Sequence, residues 1–350
     1  MAASAKITDK DFYSFRGIII LLFCLLSSIT FSQDIHYSQF NASIQNLNPG
    51  QTGLFDGDWR FAGNHRSQWA VIPVPYKTSS IATDTRLKTK LKKDAVALGL
   101  IVNADKSGDS KFTTTQIFLS AAYIKKLNSD STHFLSIAIQ PGITSKNFNL
   151  SELTFDSQYD GDKYNPALSS QENFNRLRIT YFDVGGGLVY LFKKNYRKYV
   201  NIGISAFHLT KPKQSFFDNR DIKLDVKTTI SGIAEIPITA KIGILPTVMY
   251  EKQGKFHETL LGGFGKYYLK PVNGLPTAVS LGAFYRLKDA FILAANMDYR
   301  NLNVGLSYDI NTSKLIEASN HRGGFEISII YIIKKIPPFI AKKRVCPIYM

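Results

Sequence analysis

The chain has 350 residues, of which 44% are hydrophobic, 13% aromatic and 20% charged, and its formal net charge is +16. This composition excludes an intrinsically disordered chain and, with 24 Gly and 13 Pro, a collagen-like fibre. Two cysteines, Cys24 and Cys346, are too few for a disulfide scaffold. The positive charge points to nucleic acid, an anionic surface or an acidic partner.

The first 32 residues have the features of a secretory signal peptide. Basic residues precede an apolar stretch at 17–29, and small residues then allow cleavage before Gln33. The apolar stretch is shorter than the roughly 20 residues that a spanning helix needs, which disfavours a membrane anchor. Export separates the mature chain from cytoplasmic nucleic acid. The charge therefore favours outer-membrane lipid or acidic proteins as partners, and we expect no nucleic acid partner.

Residues 33–57 form a polar, turn-rich segment ahead of the first predicted strand. Asn48, Pro49 and Gly50 predict a bend within it. We expect this segment to be periplasmic or to act as a plug, separate from the domain that follows at 58–334.

Residues 58–334 are dominated by segments in which apolar residues alternate with small or polar ones. In 95–103, for example, Val96 and Leu98 fall on one face and Ala97 on the other. Alternation over about ten residues matches a tilted transmembrane strand rather than a shorter soluble strand. The pattern predicts an all-β fold, a transmembrane antiparallel β-barrel of about 14 strands. The predicted strands begin near residues 58, 76, 94, 111, 132, 177, 198, 222, 238, 256, 276, 289, 300 and 323.

The predicted connections differ in length at the two ends of this barrel. Those after even-numbered strands are short, and those after odd-numbered strands include the longer segments 103–110, 148–176, 213–221 and 312–322. Short periplasmic turns opposite longer outer loops are typical of an outer-membrane barrel. Many of the 18 Tyr and 24 Phe fall near strand ends, as in aromatic girdles. Aromatic packing in a soluble sandwich is the alternative interpretation.

Catalytic and metal-binding motifs are missing from the sequence. The six histidines form no HExxH motif, and there is no GxSxG, P-loop or GxGxxG. Residues 103–109 resemble the start of an EF-hand loop, but position 114 is Thr where a bidentate Glu is required, so we predict a polar turn. We therefore expect no cofactor, no metal site and no enzymatic activity.

Two regions are candidates for partner binding. The loop at 148–176 carries Asp156, Asp160 and Asp162 and would face the outside. The tail at 335–350 carries a cluster of basic residues and would face the periplasm. Its composition fits a docking peptide, although a frayed, solvated end is the alternative. The cluster consists of Lys342, Lys343 and Arg344.

Several segments resemble the PorP/SprF family, in order and spacing, from about residue 33 to 347. They are 33–40 (QDIHYSQF), Asn48 with Pro49, 60–69 (RFAGNHRSQW), 98–109 (LGLIVNADKSGD), 307–310 (SYDI), 319–327 (SNHRGGFEI) and 346–347 (CP). The resemblance implies an outer-membrane barrel of the type IX secretion system, associated in gliding bacteria with surface adhesins. It adds Arg322 and Cys346 to the candidate partner-binding residues.

The leading hypothesis is a barrel that helps to export or anchor a secreted surface protein through that protein's C-terminal domain. Other secretion or motility subunits would be further partners. The alternative is a porin-like solute channel, for which Lys223, Lys227 and Lys241 could line the lumen. A hydrolase is the weakest hypothesis, because no triad or carboxylate pair supports it.

Overall fold

Fourteen antiparallel strands form a closed barrel in a computed structural model, in which each strand pairs with the next and β14 pairs with β1. The structure describes residues 34–68, 75–87, 94–108, 110–172, 174–217, 219, 221–270, 276–313 and 322–334. The strands are β1 (Trp59–Gln68), β2 (Tyr76–Arg86), β3 (Ala95–Ser107), β4 (Phe112–Lys126), β5 (His133–Asn147), β6 (Arg178–Asn195), β7 (Lys198–Phe207), β8 (Lys227–Pro237), β9 (Ile242–Gln253), β10 (Phe256–Tyr268), β11 (Thr277–Arg286), β12 (Ala290–Tyr299), β13 (Leu302–Asn311) and β14 (Arg322–Ile333). The predicted signal peptide and basic tail lie outside the described residues.

The strand burial pattern is that of a membrane barrel. Along β3, Leu98 and Leu100 are exposed, whereas Ala97 and Ile101 are buried and face the lumen. Large apolar side chains point outward on the other strands too, and Leu281 is 74% exposed. An apolar outer surface suits lipid, and closure of the sheet satisfies the backbone hydrogen bonds that lipid could not. The predicted fold class is confirmed.

The two longest described connections, 148–177 and 208–226, follow the odd-numbered strands β5 and β7. We call this end of the barrel the long-loop end and the opposite end the short-turn end. At the short-turn end, β6 and β7 are joined by a tight turn at Tyr196 and Arg197.

Some predicted boundaries were wrong. The loop predicted at 103–110 is a turn at 108–111, because β3 continues to Ser107. Asn103, which was predicted to begin a polar turn, faces the lumen and contacts Asn46 and Gln116 there. β8 and β9 also begin about four or five residues later than predicted, since 222–226 belongs to the preceding loop.

The protein core lies inside the barrel. Residues 35–57 enter the lumen and include a single helical turn, Ile44–Leu47, and a 3-10 turn, Pro49–Gln51. Phe40 and Leu47 pack against Phe264 and Phe284 on the inner wall. Burying an aromatic or leucine side chain stabilises a fold by about 1.5–3 kcal/mol, so these contacts favour a filled lumen.

Candidate functional site: the lumen and the long-loop face

The segment in the lumen is fastened near the long-loop end by two buried carboxylates. Glu326 accepts the backbone amides of Ser38 at 2.8 Å and Gln39 at 3.0 Å. The Ser38 hydroxyl lies 2.7 Å from Asp309 Oδ1. Hydrogen bonds to charged groups are stronger than neutral ones, so this pair of carboxylates fixes the segment firmly.

Two arginines compensate the negative charge of these buried carboxylates. Arg66 lies 2.8 Å from Asp309, and Arg286 lies 3.2 Å from the same oxygen. Arg286 also donates to Ser38 Oγ at 2.8 Å, and Arg66 donates to the His36 carbonyl at 3.1 Å. Because removal of one buried charge leaves its partner uncompensated, these groups depend on one another. We call Ser38, Gln39, Arg66, Arg286, Asp309 and Glu326 the upper latch.

A second attachment lies near the short-turn end. Asp84 accepts the Gly53 amide at 2.7 Å and binds Arg60 through both of its oxygens, at 2.9 and 2.7 Å. Arg60 also donates to the Gln51 carbonyl at 3.0 Å. Gly53 has φ +77°, and a Cβ there would lie 2.3 Å from the Cβ of Ala97, so the position requires glycine.

Between the two attachments, Asn48 holds the segment to the middle of the wall. Its side-chain amide donates to the carbonyls of Leu188 and Ile204 at 3.2 and 3.0 Å. A Cβ on Gly187 would lie 1.9 Å from the Asn48 oxygen. The glycine on β6 therefore makes room for the segment, because any larger side chain at this position would contact Asn48.

The segment thus crosses the lumen from one end to the other. Of the lysines predicted to line a channel, only Lys227 faces the lumen, where it lies 4.0 Å from Glu251 and 4.9 Å from the Phe207 ring centroid. Lys223 and Lys241 are exposed in connections between strands.

The long-loop face is built from the two long loops packed together. Phe148 contacts Phe216 and Phe174 with ring centroids 5.1 and 5.0 Å apart, and Phe174 contacts Phe217 at 5.1 Å. The Arg176 amide donates to the Phe216 carbonyl at 3.3 Å. Edge-to-face aromatic contacts at these separations are favourable, so the loops form one surface rather than two independent segments.

The predicted acidic residues lie on this surface. Asp156, Asp160 and Asp162 are all exposed. Asp160 accepts the amides of Lys163 and Asp162 at 3.0 and 3.1 Å, and these hydrogen bonds hold the pKa of Asp160 below its usual value. Asp160 therefore stabilises the conformation of the loop in addition to contributing a negative charge to it.

The other predicted site residues are not gathered at the same place. Arg322 is exposed at the start of β14, several strands away around the barrel. Lys342, Lys343, Arg344 and Cys346 lie outside the described residues.

Sequence reasoning missed both the upper latch and a basic group beside the long loops, which comprises Arg176, Arg178, Lys211 and Lys213. The available signal for the latch was a charge at an inward strand position, such as Glu326 between Phe325 and Ile327.

Among the residues that the structure describes, no group of three or more His, Cys, Asp or Glu is placed to hold a metal ion. Within the same residues, no helix is long and apolar enough to cross a membrane.

Comparison with known proteins identifies the family. A family model described as type IX secretion system membrane protein PorP/SprF matches residues 29–331. Among curated proteins no match is found. Among solved structures, the CymD monoaromatic hydrocarbon channel is similar at 10% identity and TM-score 0.47, with 84% of this chain and 93% of that chain covered. A Pseudomonas aeruginosa FadL homologue is similar at 11% identity and TM-score 0.44, with 83% and 94% covered. Similarities of this size do not extend to function. The family match, together with the barrel, shows that this chain belongs to the PorP/SprF family of type IX secretion system membrane proteins and resides in the bacterial outer membrane.

Proposed function

We propose that this protein is a non-enzymatic barrel that helps to export or anchor one secreted type IX cargo protein, a surface adhesin, through the cargo's C-terminal domain. The observation that carries the proposal is the lumen segment, which is attached at both ends of the barrel by Glu326 and Asp84. A filled lumen favours a role at the barrel surface over passage of solutes.

The long-loop face is the proposed receptor. It combines aromatic side chains, exposed carboxylates and arginines on a rigid barrel, and aromatic and arginine residues dominate binding energy in many protein interfaces. With short turns on the periplasmic side, this face is directed outward. Asp156, Asp160 and Asp162 would contribute the acidic part of the contact, and Arg322 would make a separate contact several strands away at the same end of the barrel.

The tail remains a separate proposal. Lys342, Lys343, Arg344 and Cys346 would contact other secretion or motility subunits in the periplasm, after removal of the signal peptide at 1–32. Their charge suits an acidic protein surface.

The test is a loop exchange in the native bacterium. Residues 151–172 would be replaced by a short Gly/Ser link that keeps Phe148 and Phe174 in place. We expect loss of surface display of one type IX cargo protein, measured by protease accessibility and mass spectrometry of intact cells.

Gel mobility with and without heating would verify that the exchanged barrel still folds. Replacing the short-turn residues 128–131 by a Gly/Ser link is the matched control and should leave display unchanged. Normal display of every type IX cargo by a folded loop-exchange variant, or by a strain without this protein, would contradict the proposal.

A further inference from the structure

At the long-loop end of the barrel, residues 178–185 of β6 pair with a neighbouring strand along only one of their two edges. β6 pairs with β5 from Arg178 to Phe192, but its pairing with β7 begins only at Gly186. Among the described residues, no strand pairs with the edge at 178–185. After Phe207 the chain leaves the sheet through a left-handed residue, His208 at φ +59°, which contacts the buried carboxylate of Asp183.

The backbone of this edge is directed toward a cavity. Leu209 donates its amide to the Val184 carbonyl at 3.0 Å, which shows that Val184 points its carbonyl away from β5. Backbone groups two residues apart in a strand point the same way, so the amides and carbonyls of Phe182 and Thr180 do as well. The Phe182 carbonyl accepts the Thr210 hydroxyl at 3.4 Å, so the part of the edge that is open to the cavity consists of the Phe182 amide and the backbone of 178–180. Beyond Thr210 the loop diverges from β6 and leaves a cavity of about 860 Å³ against this edge.

The charge around the cavity has one sign. Four cationic residues line it, and its described lining contains no carboxylate; the four are Arg176, Arg178, Lys211 and Lys213. All four are exposed. Arg178 is oriented by a hydrogen bond from its Nε to Ser145 Oγ at 2.9 Å.

The edge also lies outside the lipid. β6 has 18 residues, whereas about 9–11 residues suffice to cross the membrane as a tilted strand. The end that carries Arg178 and Thr180 therefore extends into the aqueous layer beside the long loops.

We propose that this edge binds an extended, acidic segment of the cargo protein, which adds a strand to β6. The proposal rests on the cargo-holding function and names the part of the cargo that is held. An unpaired edge offers alternating amide donors and carbonyl acceptors, which another strand matches. A phosphate or lipid head group would use the donors and cations but not the carbonyls, so the backbone favours a peptide.

The probe is a short fluorescent peptide of alternating Glu and Thr, titrated against the full-length protein in detergent micelles. We expect binding, and we expect a matching peptide of Lys and Thr to show none. The same acidic peptide with N-methyl groups on alternate amides keeps its charge but loses its strand hydrogen bonds. Its affinity should fall by about tenfold or more.

The variant Arg178→Glu/Lys211→Glu should weaken the acidic peptide by about tenfold or more. Lys194→Glu/Lys198→Glu, the same charge change at the short-turn end of the same hairpin, should leave affinity unchanged. Absence of acidic-peptide binding to the wild-type protein would overturn the proposal. Equal affinity of the N-methylated peptide would also overturn it and would leave a charge-only site, open to lipid or phosphate.

The two proposals fail separately. If the loop exchange abolishes cargo display but Arg178→Glu/Lys211→Glu does not, the cargo function stands and the β6 edge is excluded as its site. If the peptide binds as described but deletion of the protein leaves all cargo displayed, the edge is a strand-binding site and the cargo function is wrong.

Discussion

The hydroxyl of Ser38 lies 2.7 Å from the carboxylate of Asp309, although 271 positions separate the two residues in the sequence. This contact joins a segment that precedes the barrel to its second-last strand. It therefore makes the position of the lumen segment depend on a strand at the far end of the chain. The other members of the upper latch extend the same dependence to β1, β11 and β14.

Replacing Glu326 by Gln should loosen the lumen segment. Glu326 accepts one backbone amide on each of its two oxygens, and glutamine keeps only one acceptor oxygen, so one of the two hydrogen bonds is lost, at a cost of about 1.5–3 kcal/mol. The measurement is the rate at which a protease cuts within 36–57 in the purified barrel. Glu172→Gln, at an exposed loop position, is the control. Equal protection of Glu326→Gln and wild type would show that the latch does not hold the segment.

Replacing Gly53 by Ala should destabilise the short-turn end of the segment. The substitution imposes a strained φ of +77° and a contact of 2.3 Å with the Ala97 Cβ. Gly108→Ala is a matched control, because Gly108 has φ +67° and open space around it. We expect the midpoint of thermal unfolding to fall more for Gly53→Ala, by an amount equivalent to about 1–3 kcal/mol. Equal midpoints would refute the close contact.

The pair of Asp56 and Lys193 should make the same end sensitive to acid. Burial alone would raise the pKa of Asp56, but the hydrogen bond and charge of Lys193, at 2.5 Å, outweigh it and hold the pKa below its usual value. A lowered pKa in the folded state means that the stabilisation is complete above the unfolded pKa and is lost as pH falls through the folded one.

Asp56→Asn should therefore destabilise the folded protein at pH 7, by less than about 1 kcal/mol because the carboxylate is half-exposed. Its unfolding midpoint should approach that of wild type as the pH falls below about 4 and through the lowered pKa of Asp56. Asp130→Asn, in an exposed turn, provides the comparison. A difference that grows on acidification would have the wrong sign for this account.

Deleting residues 35–52 should open the lumen to ions. The wild-type protein should show little conductance in a planar bilayer, since the segment spans the lumen between its two attachments. The deletion variant should conduct, provided that heat-dependent gel mobility shows a closed barrel. Replacing 151–172 by a short link tests the alternative that the loop blocks the pore, and we expect no conductance from it. High conductance of the wild-type barrel would restore the channel hypothesis.

The sequence predicted the strands well because each strand carries its own signal. Alternation along β3, with Leu98 outward and Ala97 inward, is visible locally and indicates which face meets lipid. For the upper latch, an inward charge such as Glu326 is visible locally but its partners are not, since the members of the latch are contributed by five separate parts of the chain. Only pairing of β1 with β14 and of β13 with β14 brings Arg66, Asp309 and Glu326 together.

The resemblance motifs gain a physical meaning from the same contacts. The segments at 33–40, 60–69, 307–310 and 319–327 each contribute to the upper latch, through Ser38 and Gln39, Arg66, Asp309 and Glu326 in that order. The basic edge beside the cavity could not be predicted. It exists only because, at the long-loop end, β6 extends beyond the last residue of β7 that pairs with it.

The most direct test of the cargo-holding account is affinity purification of this protein from outer membranes in mild detergent, with mass spectrometry of the proteins that co-elute. The account predicts one large secreted protein in stoichiometric amount with the wild-type barrel and its absence with the 151–172 exchange. Recovery of the wild-type barrel alone, from cells that display their type IX cargo, would contradict the account.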